Sequence, residues 1–154
     1  MGVTMSFTRV SAADLELVMR HTDCAQEFLA EFEPPESDPS GYLDKSWAGL
    51  KYLLEAADTG IDLFFTGTPL PIGEYSGWTP DDVSHTAELL SGTPFDVLAA
   101  HYDPHGMDRA GVYPRIWLNE SNGGLDYLDQ GYAALVEVFE YAARHRSGLL
   151  QHFA

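Results

Sequence analysis

One long run of helical periodicity determines much of what this chain can fold into. Between residues 125 and 143, apolar side chains recur three or four positions apart, which predicts a helix with one continuous buried stripe. Arg144 and Arg146 follow this stripe, and the helix dipole favours cations at a C-terminus. Because one apolar stripe of this length must be covered by other elements, we expect a layered fold. The stripe consists of Leu125, Leu128, Tyr132, Leu135, Val136, Phe139, Ala142 and Ala143.

Helix-start signals recur through the middle of the chain. Thr79-Pro80 and Thr93-Pro94 each place a threonine at the N-cap, a proline at the first helical position and an acid two residues later. Asp103-Pro104 repeats this arrangement with aspartate as the cap. These signals predict helices over residues 80–91 and 94–102 and a short helix that ends at Gly111.

Strand patterns alternate with these helices. Residues 3–10 alternate apolar and polar side chains, as a half-buried strand does. Short apolar runs predict three more strands, while Pro-rich and Gly-rich composition predicts loops. We therefore expect an α/β fold of α+β character, with one domain over residues 1–154 and a mixed sheet of about four strands flanked by helices. The remaining predicted elements are helices after Ser11 and over 25–32, strands over 61–66, 112–118 and 149–153, loops over 33–41 and 67–77, and a turn at Asn122-Gly123-Gly124.

The segment from Leu43 to Leu54 has the pattern of an amphipathic helix and carries two residues that such a helix does not require. Its apolar positions share one face, and Asp44 is predicted as its N-cap or first-turn acid. Trp47 lies on the apolar face, so packing in a hydrophobic core accounts for its presence. Core packing does not account for Lys45, because the helix dipole disfavours a cation in the first turn of a helix.

The charge and the cysteine content of the chain restrict which partners it is expected to bind and which cellular compartment suits it. The chain has 24 acids and 8 bases, a formal charge of −16. Nucleic acids and anionic membranes bind clustered Lys and Arg, so neither is an expected partner. The acidity serves solubility or attracts a basic protein partner. Cys24 stands alone, which excludes an intramolecular disulfide and suits a reducing cytoplasm, and no apolar run approaches the length of a membrane helix.

No catalytic constellation is evident. His101, Asp103 and His105 resemble a metal-ligand array, but a helix start at Asp103 would point the two histidines in different directions. Cys24 lacks a recognisable histidine partner. The nucleophile elbow and the phosphate-binding loop are both missing from the sequence, and the many carboxylate pairs are explained by caps and solvent-facing helix surfaces. We therefore expect no metal and no cofactor.

The scarce bases lie close to aromatic residues in two places. If the predicted strand over 112–118 packs against the predicted helix over 43–54, its aromatics and Trp47 would wall a pocket with Lys45 or Arg115 at the mouth. The alternative is that the aromatics form core and the bases pair with neighbouring acids. The ligand-binding candidates are Lys45, Trp47, His101, Tyr113, Arg115 and Trp117, and the candidate helix caps are Asp44, Thr79, Thr93 and Asp103.

With these residues the chain resembles the YfbM-like family of small bacterial proteins, a domain of unknown function. The resemblance spans the whole chain, and it implies a compact α/β domain with helices about a mixed sheet. It implies no established activity, cofactor or catalytic set. The features that carry it are Met1-Gly2, Leu43-Asp44-Lys45 with Trp47, Thr79-Pro80, Asp103 with Met107, and Tyr113-Pro114 with Trp117.

Two hypotheses for function follow. The first is a cytoplasmic binding or interaction protein without catalysis, whose acidic surface takes a basic protein partner as small inhibitors and immunity proteins do. The second is a small-molecule sensor or enzyme that uses a pocket near Lys45, Trp47, Tyr113 and Trp117, with His101 as the candidate base. The sequence indicates no oligomeric state.

Overall fold

A five-stranded sheet separates two layers of helices. The computed structural model describes residues 2–119 and 123–154, so Met1 and Asn122 of the predicted features lie outside the described residues. The strands are β1 (Met5–Val10), β2 (Gly41–Asp44), β3 (Thr68–Pro69), β4 (Tyr75–Trp78) and β5 (Gly148–Phe153). The helices are α1 (Ala12–Arg20), α2 (Thr22–Glu31), α3 (Trp47–Ala56), α4 (Pro80–Ser91), α5 (Phe95–Ala99), α6 (Pro104–Arg109) and α7 (Gly123–Arg144).

The strand order is β2-β1-β5-β4-β3, and every neighbouring pair is antiparallel. The predicted fold class, a single α+β unit, is confirmed. The sheet has five strands instead of about four, and its pairings are antiparallel where a mixed sheet was expected. The sequence prediction missed β2, which lies where a predicted loop meets a predicted helix. It missed β3 and β4 because they are short and lie in a Gly- and Pro-rich passage that is typical of a loop.

Helices cover the two faces of the sheet unequally. On the larger side, Phe7, Trp78 and Leu149 pack with residues of α3, α4, α5 and α7 in the main core. The apolar stripe of α7 runs through this core, as its periodicity predicted. On the other side, α1 and α2 cover Val10 and Leu150 and form a smaller cluster. The chain is therefore a three-layer α+β structure with the sheet in the middle.

Two predicted strands are turns. Residues 61–66 form a loop held by the side chain of Asp62, and residues 112–118 form successive turns with local hydrogen bonds such as Arg115 N to Val112 O at 3.0 Å. Arg115 has a φ of 67°, which a strand does not permit. In both segments most of the apolar residues pack into the core individually, with Phe65 and Leu118 left exposed, so their β-like composition reflects burial and not sheet pairing.

Of the four predicted helix caps, the structure has two and lacks two. Thr79 accepts a hydrogen bond from Asp82 N at 3.2 Å and Asp103 accepts one from Gly106 N at 3.0 Å, so each caps its helix. The predicted helix at 43–54 is wrong in its first turn, because Asp44 ends β2 with a φ of 51° and Ser46 is the N-cap of α3. Thr93 is not a cap either. Pro94 is the N-cap of α5, and the Thr93 hydroxyl donates to Leu89 O of the preceding helix at 2.8 Å.

Candidate functional site

The structure brings Lys45, Trp47 and Tyr113 together around the N-terminal segment of the chain. Trp47 and Tyr113 stack with ring centroids 5.5 Å apart. Between them they bind the backbone of Val3, since Tyr113 Oη accepts from Val3 N at 2.8 Å and Trp47 Nε1 donates to Val3 O at 2.9 Å. A Cβ on Gly2 would lie 2.7 Å from Lys45 Cε, so only glycine fits there without displacing the lysine. The chain itself therefore occupies the space that the sequence suggested as a ligand pocket.

Trp47 also organises a larger aromatic cluster, defined by Trp47, Phe64, Tyr113 and Phe153. The Trp47 ring lies 5.7 Å from that of Phe64 and meets Phe153 edge-on at 5.5 Å. Such ring pairs add to stability beyond the area they bury. The cluster ties α3, the end of β5, the N-terminal segment and the loop at 62–66 to one another.

The other predicted ligand-binding residues do not join this cluster. Trp117 is fully buried, and its Nε1 donates to Val112 O at 2.9 Å, so it belongs to the core. Arg115 is exposed on the turn that follows Tyr113. His101 is exposed just after α5, and no contact in the described part of the chain connects it to Lys45 or Trp47.

A network of tyrosines fixes the backbone at Asp44 and Lys45. The Tyr127 hydroxyl donates to Asp44 Oδ2 at 2.6 Å and accepts from Lys45 N at 2.9 Å, and Tyr42 donates to Asp44 Oδ1 at 3.2 Å. The hydrogen bond from Tyr127 lowers the pKa of the Asp44 carboxyl below its ordinary value. Burial, and secondarily the bond to Asp44, raises the pKa of the Tyr127 phenol. These bonds stabilise the positive φ of Asp44 at the junction of β2 and α3.

Lys45 lines a cleft of about 470 Å³ next to this network. Its lining also includes Pro114 and Ile116 from the turns over 112–118 and Asp126 and Gln130 of α7. Within residues 2–119 and 123–154, the Lys45 ammonium has no ion-pair partner. The cleft combines one cation, several acceptors and a small apolar wall, which is the composition of a polar small-molecule site.

Replacing Tyr127 with phenylalanine should lower the free energy of unfolding by about 1–2 kcal/mol at neutral pH, because it removes a hydrogen bond to a carboxylate and the acceptor for Lys45 N. The pKa of Asp44 is lowered in the folded state, so its contribution is present above the unfolded pKa of about 3.9 and is lost as the pH falls through the folded value. Urea unfolding at a series of pH values should show the deficit of Y127F shrinking below pH 4. A deficit that is constant from pH 7 to pH 3 would contradict the role of the Asp44 charge.

The loop at 62–66, here called the Phe65 loop, presents an aromatic side chain to solvent. Asp62 Oδ1 accepts from Phe64 N at 2.8 Å and Phe65 N at 3.0 Å, and Thr66 Oγ1 donates to Asp62 O at 2.6 Å. Phe64 points into the Trp47 cluster, whereas Phe65 is 85% exposed. The loop is thus held by its own hydrogen bonds and by one inward ring, with the second ring projecting outward.

An acidic groove of about 340 Å³ lies between the end of α3 and the Phe65 loop. Its polar lining includes Glu55, Asp58 and Asp62, and its only lysine or arginine, Lys51, pairs with Glu55 at 2.7 Å. Asp58 and Asp62 have no ion pair within the described ranges. Leu54, Ile61, Leu63 and Phe64 form its apolar wall. The groove therefore carries net negative charge over an apolar wall.

Other chemical features of the sequence do not converge. In the part of the chain that the structure describes, no three His, Cys, Asp or Glu side chains come together in a way that could hold a metal ion. Cys24 is exposed on α2. No helix among residues 2–119 and 123–154 has the length and apolarity needed to cross a membrane.

Comparisons with known proteins identify the family of the chain and a solved structure with the same fold. Residues 1–152 match the family model described as Domain of unknown function (DUF1877). The chain belongs to the DUF1877 family. The resemblance to the YfbM-like family is confirmed by a solved structure as well, the crystal structure of YfbM from Escherichia coli, a protein of unknown function. The two chains share 10% identity with a TM-score of 0.70, over 98% of this chain and 99% of YfbM, which shows a common fold. No curated protein matches the chain.

In this DUF1877 chain, sequence reasoning found the clustering of Lys45, Trp47 and Tyr113 but missed the Phe65 loop and the acidic groove. The sequence does contain a signal for this loop. Asp62 is a residue type that favours an Asx turn, in which the carboxylate accepts a hydrogen bond from the amide two residues later. The apolar run over 61–66 concealed it by resembling a strand. The groove depends on the approach of α3 to that loop, which a single sequence does not reveal.

Proposed function

We propose that this chain is a binding protein that holds a basic protein partner on the Phe65 loop and the acidic groove, acting by association and not by catalysis. The observation that carries the proposal is the 85% exposure of Phe65 on a loop that its own hydrogen bonds hold in place. Exposed rigid aromatics are typical anchors of protein interfaces, because they bury a large area at a low cost in side-chain entropy.

The charge around Phe65 defines the class of partner. Glu55, Asp58 and Asp62 line the adjacent groove, and the single nearby lysine is already paired. A partner that offers an apolar pocket rimmed by Lys or Arg would match both features. The formal charge of −16 would steer such a partner over longer distances and raise its association rate at low ionic strength.

Photo-crosslinking in the native host tests the proposal directly. With p-benzoylphenylalanine in place of Phe65, we expect a discrete adduct with a protein rich in Lys and Arg. Position 17 is the matched control, because Leu17 is an exposed apolar residue (43%) on α1, away from the groove. The same adducts from both positions, an adduct that contains only a second copy of this chain, or a partner without excess basic residues would contradict the proposal.

A pair of matched charge variants tests the acidic groove separately. E55Q/D58N removes two groove acids, and E27Q/E31Q removes two exposed acids of α2, so the net charge changes equally. We expect the groove variant to slow association with the crosslinked partner by roughly tenfold at low salt, and the control to have a much smaller effect. Kinetics measured from low to high salt should show this difference disappearing as the charges are screened. Equal effects of the two variants would mean that only the overall charge matters.

The cleft beside Lys45 supports a second candidate, a small-molecule binding protein. Its basis is the Lys45 ammonium without an ion pair in the described part of the chain, next to a cleft of about 470 Å³. Lys45 would hold an anionic group, with Gln130 and Asp126 available for a neighbouring polar group. A ligand found by thermal-shift screening should lose at least about tenfold in affinity with K45M. Its retention by K45M would exclude this site.

A further inference from the structure

A second cleft lies on the opposite side of the sheet from the Phe65 loop, where α2 leaves part of the sheet uncovered. Its floor is formed by two rows of side chains on neighbouring strands. Ser6, His152 and Tyr75 are cross-strand partners on β1, β5 and β4, and Thr8 and Leu150 form the next row. Leu29 of α2, the C-cap residue Phe32 and Pro34 form the wall. The cleft encloses about 130 Å³.

Several polar groups of this cleft have a fixed position but no hydrogen-bond partner among the described residues. His152 stacks on Tyr75 with ring centroids 4.1 Å apart and an interplanar angle of 11°, which fixes the plane of the imidazole. Ser6 and Thr8 are held by their strand. Among the described residues, the two hydroxyls and the imidazole nitrogens have no hydrogen-bond partner. These groups are open to water, and a ligand seated in the cleft can take the place of that water as their hydrogen-bond partner.

The size and polarity of the cleft define the ligand class. Cavities of about 150 Å³ hold benzene, so this cleft fits a molecule of that size. Burial lowers the pKa of His152, against the opposing charge of Glu74, so the imidazole is neutral near pH 7 and offers one donor and one acceptor. The apolar wall of Leu29 and Phe32 favours a carbon ring or branched chain, and Glu74 on the neighbouring loop disfavours an anion.

We propose that the cleft formed by Ser6, Thr8, His152 and α2 binds a small neutral molecule, about the size of benzene, that has one hydroxyl or amide group. The apolar part lies against Leu29, Phe32 and Leu150. The polar group exchanges hydrogen bonds with the two hydroxyls and the imidazole. This site is independent of the Phe65 loop and stands whether or not that loop binds a protein.

Phenol and benzene form a pair of probes that separates hydrogen bonding from simple filling of the cleft. In an NMR titration, phenol should move the His152 ring signals and the Ser6 and Thr8 amides along a saturable curve. Benzene should bind roughly tenfold more weakly or less, because a site built for a hydroxyl leaves its polar groups unpaired with the apolar analogue. Failure of phenol to saturate, or equal affinity for both probes, would overturn the proposal.

Variants test the named residues. S6A/T8V removes both hydroxyls while keeping the side-chain volumes close, and should weaken phenol binding roughly tenfold. The matched control, S76A/T68V, removes the same two types of hydroxyl from β4 and β3 outside the cleft and should leave the affinity unchanged. H152F keeps an aromatic ring against Tyr75 and removes both nitrogens, so it should also weaken binding. Unchanged affinity in both S6A/T8V and H152F would overturn the assignment.

Discussion

Replacing Gln151 with alanine should lower the free energy of unfolding by about 3–5 kcal/mol, the largest effect expected from a polar residue in this chain. Gln151 is 2% exposed in the central strand β5. Its Oε1 accepts from Trp78 Nε1 at 2.9 Å, and its Nε2 donates to Leu63 O at 2.7 Å. The alanine variant would leave a buried indole N–H and a buried carbonyl without partners and would also open a cavity.

A second variant separates these two causes. Q151L keeps most of the volume but none of the hydrogen bonds, so it should lose less stability than Q151A while remaining clearly destabilised. The double variant W78F/Q151L also lacks the indole N–H, so only the Leu63 carbonyl is left without a partner. Its loss in free energy of unfolding should therefore be smaller than the sum of the losses in W78F and Q151L. Urea unfolding followed by circular dichroism measures the wild type, Q151A, Q151L, W78F and the double variant. A loss under 1 kcal/mol in Q151A would show that the network contributes little.

Replacing Trp47 with alanine should lower the free energy of unfolding by about 2–3 kcal/mol, somewhat less than for a fully buried tryptophan. The variant removes ring contacts to Phe64, Tyr113 and Phe153 and the hydrogen bond to Val3 O. Besides the global loss, the amide signals of Val3, Phe64 and Phe65 should shift most in NMR spectra, because the N-terminal segment and the Phe65 loop both rest on this ring.

The control for the tryptophan prediction is W47F. Phenylalanine keeps one aromatic ring in the cluster and removes the N–H together with part of the indole, so we expect a loss smaller than that of W47A, about 1–2 kcal/mol. The Phe65 loop should keep its native amide shifts in W47F and lose them in W47A. If the two variants are equally destabilised, the phenyl-sized ring that W47F keeps contributes little, and the bond to Val3 with the rest of the indole makes the main contribution of Trp47. Binding through Phe65 should then be unaffected by either substitution.

What the sequence predicted well was determined locally. The helix α7 followed from periodicity, and the caps at Thr79 and Asp103 depend on side chains that bond to amides three residues away. Thr93 has the same local pattern, but its hydroxyl bonds to Leu89 O, and the helix begins later. A local pattern of this kind permits two hydrogen-bonded arrangements, and the preceding helix decides between them.

What the sequence did not predict depends on distant segments. The sequence brought Lys45, Trp47 and Tyr113 together only on the condition that a strand over 112–118 packed against a helix over 43–54. In the structure 112–118 is a series of turns, and the backbone of Val3 bonds to both aromatics through its N–H and carbonyl. No side-chain pattern marks such backbone bonds in a sequence. Asp44 ends a strand for a similar reason, because β1 pairs with this segment before α3 begins. The Phe65 loop gains its exposed ring only through the inward packing of Phe64.

The central position of β5 has a consequence for how the chain folds. This strand pairs with β1, which lies 138 to 148 positions earlier in the sequence, and with β4 on its other edge. Until β5 docks, the sheet exists only as two separate ribbons, β1 with β2 and β3 with β4. Two-stranded ribbons are marginal in water, and pairings between such distant segments form slowly. Assembly of the whole sheet therefore depends on the docking of β5, and a folding intermediate without it would expose the edges of β1 and β4.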